Sequence, residues 1–163
     1  MVSSPSARRV VEAARHLGLD IQIREFPEGT RTAEDAARAI GVQVGQIVKS
    51  LVFIADARPV VCLISGANRL DPARLQEISG AKEVRRADAD QVRESTGFAV
   101  GGVPPFGHAA SVPVYCDPEL LQYDAVWAAG GTPHTVFPIA PGKLVEACNA
   151  IVTELKEKGS PEA

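Results

Sequence analysis

"GQIVKSLVFIADARPVVCLISG", residues 45–66, sets two long apolar runs on either side of a short break from Asp56 to Pro59. Neither run alternates apolar with polar, so the pair reads as a hairpin covered on both faces rather than an exposed ribbon. In the first strand Lys49 shares a face with Ile47, Leu51, Phe53 and Ala55, while Val48, Val52 and Ile54 line the other. A sheet that is apolar on both sides needs layers above and below it, and the flanking sequence supplies them.

Upstream, Ser4-Pro5 opens a helix with Val10, Val11, Ala14 and Leu17 as its apolar stripe and Gly18 at its end. "IQIREF" (21–26) alternates as a strand, and Thr32 with Asp35 caps a short helix that stops at Gly41. Downstream, Asp71-Pro72 starts a helix closed by Gly80, "KEVRRA" (82–87) reads as a short strand, and a helix runs from about Asp88 to Ser95. "SVPVYCD", "DAVWAAGG" and "HTVFPIA" are three further strands. Pro141 begins a last helix expected to pack Leu144, Val145, Cys148, Ile151, Val152 and Leu155. Neither regular βαβ alternation nor all-β spacing fits. The expected fold is α+β, with a curved, mainly antiparallel mixed sheet, barrel-like and surrounded by helices.

The 163 residues suit a single domain, 1–163, with about 157–163 as a frayed tail. A net charge of −3 offers no global basic field for long nucleic acid, so no DNA partner is expected and any contact with RNA must be local. The apolar runs are too short to span a bilayer and the N-terminus lacks a signal's uncharged core, so no membrane is expected and the location is read as cytoplasmic. Cys62, Cys116 and Cys148 are odd in number, widely spaced and without a C-x-x-C pair, and read as reduced packing thiols. No compact ligand cluster points to a metal or other cofactor.

Chemistry concentrates in three places. Lys49 lies in a strand apolar on both faces, so it must reach solvent along its stem, pair with an acid, or lose its proton; the functional alternative is a charge held at the mouth of a pocket for a polar or anionic ligand. "GFAVGGVPPFGH" (97–108) holds four glycines and two adjacent prolines, which no helix or interior strand tolerates. "WAAGGTPHTVF" (127–137) carries a second glycine turn with His134. His108 and His134 read either as loop-stabilising residues or as site residues, and the two loops matter if they meet beside Lys49. His16 reads as surface.

In order and spacing, "IVKSLVF", "GGVPPFGH" and "WAAGGTPHTVFPI" before a closing helix resemble the YbaK and prolyl-tRNA-synthetase-associated editing domains, across about residues 20–152. The resemblance implies a trans-editing hydrolase that deacylates mischarged aminoacyl-tRNA, bound by its acceptor end, with an aminoacyl-tRNA synthetase as a further partner. Lys49 matches the family's essential lysine, and Gly101 through Pro105 match its G-x-x-x-P loop. Gly101 and Gly102 are then expected to donate backbone N–H groups to the oxyanion of ester hydrolysis. Ser50, Val103, Pro104, Pro105, His108, Gly130, Gly131 and His134 are expected to bound the substrate, with His134 limiting the acyl pocket. No Ser-His-Asp or Cys-His pattern is evident, so attack is assigned by the resemblance to a water activated by the ribose 2′-hydroxyl, or to a nucleophile on the substrate side chain. Ser50 stands where cysteine-specific members carry Thr and alanine-specific members Asn. The resemblance therefore carries the class and leaves the acyl group among small residues: Ser, Thr, Ala or Cys, with Ser and Thr favoured. Two other classes fit parts of the pattern: a non-catalytic module that binds the tRNA acceptor end or docks on a synthetase, and a Schiff-base enzyme using Lys49.

Overall fold

A computed structural model of the protein describes residues 4–26 and 32–158. In chain order the elements are α1 (Pro5–His16), β1 (Arg24–Glu25), α2 (Ala33–Ile40), β2 (Val48–Ala55), β3 (Arg58–Ser65), α3 (Pro72–Ser79), β4 (Val84–Arg86), α4 (Ala89–Thr96), β5 (Val114–Cys116), β6 (Val126–Ala129), β7 (Thr135–Ile139), α5 (Pro141–Cys148) and β8 (Ile151–Val152). Short 3-10 turns precede β2 (Val44–Gln46) and follow β5 (Pro118–Gln122).

Local chemistry starts the first four helices as expected. Ser4 accepts from the Ser6 and Ala7 N–H groups, Thr32 from Asp35, Asp71 from Ala73, and Asp88 forms a reciprocal box with Gln91. These bonds occupy donors that a helix's first turn leaves without intrahelical partners.

The hairpin is real: β2 and β3 pair antiparallel from Val48↔Ser65 to Ala55↔Arg58. They lie at the centre of a five-stranded sheet in the order β4-β2-β3-β5-β8, antiparallel on the β4 side and parallel from β3 through β5 to β8. A second sheet, β1-β7-β6, is antiparallel throughout. Among the described residues one parallel bridge, Ile47↔Trp127, links the two sheets. The fold is therefore mixed α+β, as expected, but its sheet does not close into a barrel. β4 pairs with β2 over residues 53–55, with one further bond from the Ala87 N–H to the Val52 carbonyl. Between that bond and the Ile47 bridge the edge of β2 has no strand beside it among the described residues.

Both faces of the hairpin are buried. Val48, Val52, Val61 and Leu63 pack with Phe98, Val103, Phe137 and Leu144, while Phe53, Val60, Cys62 and Ile64 pack with Leu70, Leu75 and Leu155. A third cluster, Ala36, Ala37, Ile47, Trp127 and Val136, seats α2 across the junction of the sheets. Fully burying one such side chain stabilises the fold by roughly 1.5–3 kcal/mol before conformational entropy is subtracted.

One expectation fails at the C-terminal end. The last helix stops at Cys148 because Asn149 turns left-handed, at φ 50°. Ile151 and Val152 then form β8 beside β5 and are exposed, rather than lying on a helix's buried face. The first residues of the expected tail are tied down, since the Glu157 N–H donates to the Arg69 carbonyl at 2.8 Å; residues 159–163 lie outside the described residues.

Candidate active site

The unpaired edge of β2 opens into a cavity of about 320 Å³. Its floor is the strand from Ile47 to Leu51, one wall is β6 and β7 (Trp127, Ala128, Thr135, Val136), and the first turn of α2 with Thr32 and Ala36 closes another. Val100, Gly101 and Val103 of the Gly/Pro loop complete it. A second depression, lined by Leu51, Phe53, Leu70, the cations Arg69, Arg85 and Arg86, and the carboxylate of Glu157, adjoins it. Lys49, Leu51 and Arg86 line both.

Lys49 stands at that junction, half-buried, with Nζ donating to the main-chain carbonyl of Asn68. Its pKa is pushed below the ordinary lysine value by burial. Glu34 opposes that shift, and the nearby Arg69 and Arg86 cations reinforce it. Ser50 faces the opposite side of the strand, yet it lines the same cavity, because the cavity opens at the strand's edge and takes side chains from both faces. Its hydroxyl oxygen is buried without a partner.

The two glycine loops do meet beside Lys49. A Cβ on Gly102 would stand 2.7 Å from Thr132 Cα and 2.8 Å from both the Gly131 carbonyl oxygen and the Thr132 nitrogen, so only glycine allows this approach. Gly101 needs its glycine for a different reason, a φ of +89°. The two expected donors differ. The Gly102 N–H is spent on the Ala99 carbonyl at 3.0 Å, whereas the N–H groups of Gly101 and Val103, both on the cavity wall, donate to no described group.

Pro104, Pro105 and His108 lie behind the wall and hold it. His108 Nε2 meets the Pro104 carbonyl at 2.7 Å, and the Cys148 thiol donates to the Pro105 carbonyl at 3.1 Å. Burial lowers the His108 pKa, with the Pro104 hydrogen bond opposing, so the neutral ring acts as the donor. Gly130 and Gly131 also buttress rather than line the cavity: Gly130 packs on Ile23 and Thr135, Gly131 on the Ser6 carbonyl. His134 is exposed and its ring is not on the wall; its carbonyl receives the Phe26 N–H and its own N–H donates to Thr132 Oγ1. Thr135 and Val136, the next two residues, bound the cavity instead. Trp127 and Arg86 also belong to the wall, and no local motif marks them; the solitary Trp beside "AAGG" was the nearest signal.

Burial raises the thiols of Cys62, Cys116 and Cys148 to about 12, so none is an ionised nucleophile near neutrality. Among the described residues no three His, Cys, Asp or Glu side chains gather at metal-binding distance. The arrangement offers a small half-open cleft, a cation at its mouth and backbone N–H groups on its wall that no described group accepts from, which suits stabilising an oxyanion more than supplying a side-chain nucleophile.

A family model, the aminoacyl-tRNA editing domain, matches residues 27–147. The chain belongs to this family. Aminoacyl-tRNA editing domains are deacylases, and the cavity's chemistry agrees with that class. A solved structure described as a provisional trans-editing enzyme for prolyl tRNA synthetase superposes with a TM-score of 0.91 at 48% identity, covering 96% of this chain and 99% of that one. EbsC of Enterococcus faecalis, provisionally named a Cys-tRNA(Pro)/Cys-tRNA(Cys) deacylase, is 30% identical over 82% of each chain. The proline–tRNA ligase of Citrifermentans bemidjiense is 41% identical over 92 residues, 56% of this chain and 16% of the ligase. No described helix is long and apolar enough to cross a membrane.

Proposed function

We propose that this editing domain acts in trans, in the cytoplasm, as a single unit that hydrolyses the ester of tRNA mischarged with a small polar amino acid. The observation that carries the reading is the pair of adjoining depressions with Lys49 between them. An aminoacyl-tRNA end has two unlike parts, an acyl group and a terminal nucleotide, joined at the ester. The smaller cleft suits the first and the groove with its three arginines and one glutamate, net cationic, the second, which leaves Lys49 beside the ester and its flanking phosphate. The N–H groups of Gly101 and Val103 stabilise the oxyanion as the carbonyl becomes tetrahedral, and a water activated by the ribose 2′-hydroxyl attacks.

Ser50 lines the cavity with a hydroxyl that has no partner, so a rotation that turns it into the cavity lets an acyl hydroxyl or thiol satisfy it where a methyl group does not. Serine and threonine are therefore the favoured acyl groups. Cysteine is the second reading, favoured by the similarity to EbsC. The likeness to a proline–tRNA ligase segment makes tRNA(Pro) the first tRNA to test. The experiment charges one tRNA with serine, threonine, cysteine, alanine and phenylalanine and compares deacylation rates. Serine or threonine should be released fastest, and fastest release of phenylalanine overturns the small-pocket reading. Binding of every charged tRNA without turnover instead favours a non-catalytic acceptor-end module.

A further inference from the structure

The carbonyl that receives the Lys49 ammonium belongs to Asn68, in the connection between β3 and α3. Asn68 is only 2% exposed, and its Nδ2 donates to Glu119 Oε2 at 2.6 Å. Glu119, on the 3-10 turn after β5, accepts from Lys156 Nζ through Oε1, also at 2.6 Å. Its neighbour Asp117 caps that turn through the Glu119 N–H and receives the Leu155 and Lys156 N–H groups at 2.8 and 3.0 Å. Three distant stretches of chain thus converge on Asn68, whose carbonyl anchors Lys49. Burial opposes charge on Glu119, but the hydrogen bonds from Lys156 and Asn68 prevail and hold it below its ordinary pKa, as an anion.

None of Asn68, Glu119 and Lys156 lines the cavity or the groove beside it. Packing does not explain the asparagine, because its Oδ1 is buried with no partner and an apolar side chain would leave no such orphan. What the amide adds is a donor that locks the loop to Glu119 and so fixes where its own carbonyl points. We infer that Asn68, Glu119 and Lys156 form a positioning relay that sets the place of the Lys49 ammonium at the cavity mouth. Its consequence for turnover rests on the editing function proposed above; its consequence for Lys49 does not. The charged groups acting on Lys49 are Glu34 from α2, Arg69 beside Asn68, and Arg86 from β4.

The test reads Lys49 directly in the full chain. Competitive acetylation with acetic anhydride across a pH series, followed by mass spectrometry, gives its apparent pKa and reactivity. Glu119→Ala should move that pKa up towards an ordinary lysine and raise its reactivity, while kcat on seryl-tRNA falls by roughly 10- to 100-fold, as expected for a displaced group at a reacting centre. Glu119→Gln keeps an acceptor for the Asn68 amide and should restore most of both readouts. Lys156→Met should fall between them, and replaces Glu119→Ala if thermal melting shows that variant unfolded. A folded Glu119→Ala or Lys156→Met protein with the wild-type Lys49 labelling profile overturns the relay, even where the wild type deacylates tRNA. An altered profile with no deacylation by any protein, wild type included, supports the relay and overturns the editing function instead.

Discussion

Gly102→Ala separates loop geometry from general packing. The new methyl group would begin 2.7–2.8 Å from three backbone atoms of Gly131 and Thr132, whereas ordinary contact begins near 3.4 Å, so one loop must retreat by roughly 0.7 Å. No flexible side chain can yield instead, because all three atoms are main chain. Overpacking of this kind costs about 1–3 kcal/mol, which in a chain of this size lowers Tm by roughly 2–12 °C. The same retreat carries along the flanking N–H groups of Gly101 and Val103. A misplacement approaching 1 Å costs up to about 10²-fold in rate, comparable to losing one oxyanion donor. The assay is single-turnover deacylation of seryl-tRNA at saturating enzyme, with a melt on the same sample. Gly101→Ala is the companion variant: its Cβ has room, 3.6 Å from Pro133 Cγ, but its φ of +89° strains any L side chain. Both variants should lose about 10- to 100-fold in kcat. A Gly102→Ala protein with a lowered Tm and an unchanged rate would show that the loop only holds the fold together, and would refute the donor assignment.

Four other outcomes follow from named contacts. Lys49→Met should remove most deacylation, and its stability should differ from wild type in a pH-dependent way. The folded-state pKa of Lys49 lies below its ordinary value near 10.5, so between the two the unfolded chain binds more protons and the wild type gains stability as pH rises. Denaturant melts from about pH 7 to 10 should show the wild type improving relative to Lys49→Met, and the opposite trend would deny that burial dominates at this lysine. Ser50→Ala deletes a buried hydroxyl that has no partner, so it should leave stability unchanged or raised while reducing the preference for seryl over alanyl ester; a loss of more than about 1 kcal/mol would reveal an overlooked bond. His134→Ala should change neither Tm nor the ranking of acyl groups, as panel assays will show, because the ring is exposed and off the wall. EDTA should leave the rate intact, and an activity lost to EDTA and restored by zinc would require ligands from elements not gathered here.

Elements whose signal is local were legible in the sequence. Ser4-Pro5, Thr32, Asp71-Pro72 and Asp88 each begin a helix, and the doubly apolar runs at 47–55 and 58–66 pair as the central hairpin. The last helix was overextended because Ile151, Val152 and Leu155 keep helical spacing after Cys148; periodicity cannot reveal that Asn149 turns left-handed and sends the chain to β5. Lys49 could be singled out because a charge in a doubly apolar strand needs an explanation, whereas Asn68, Glu119 and Lys156, which hold it, are ordinary polar residues brought together only by tertiary structure.

The site itself shows why alternation misleads at a strand's edge. Lys49 and Ser50 project to opposite faces, and period-two reasoning therefore excludes one of them from any pocket built on the other's face. That reasoning holds for a strand with neighbours on both sides. Among the described residues β2 has no strand paired with it on one side between Ile47 and Val52, apart from the Ile47↔Trp127 bridge to β6. A cavity entering through that gap meets the strand edge-on and reaches side chains above and below it. The failure of the sheet to close into a barrel and the sharing of one cavity by Lys49 and Ser50 thus have the same cause.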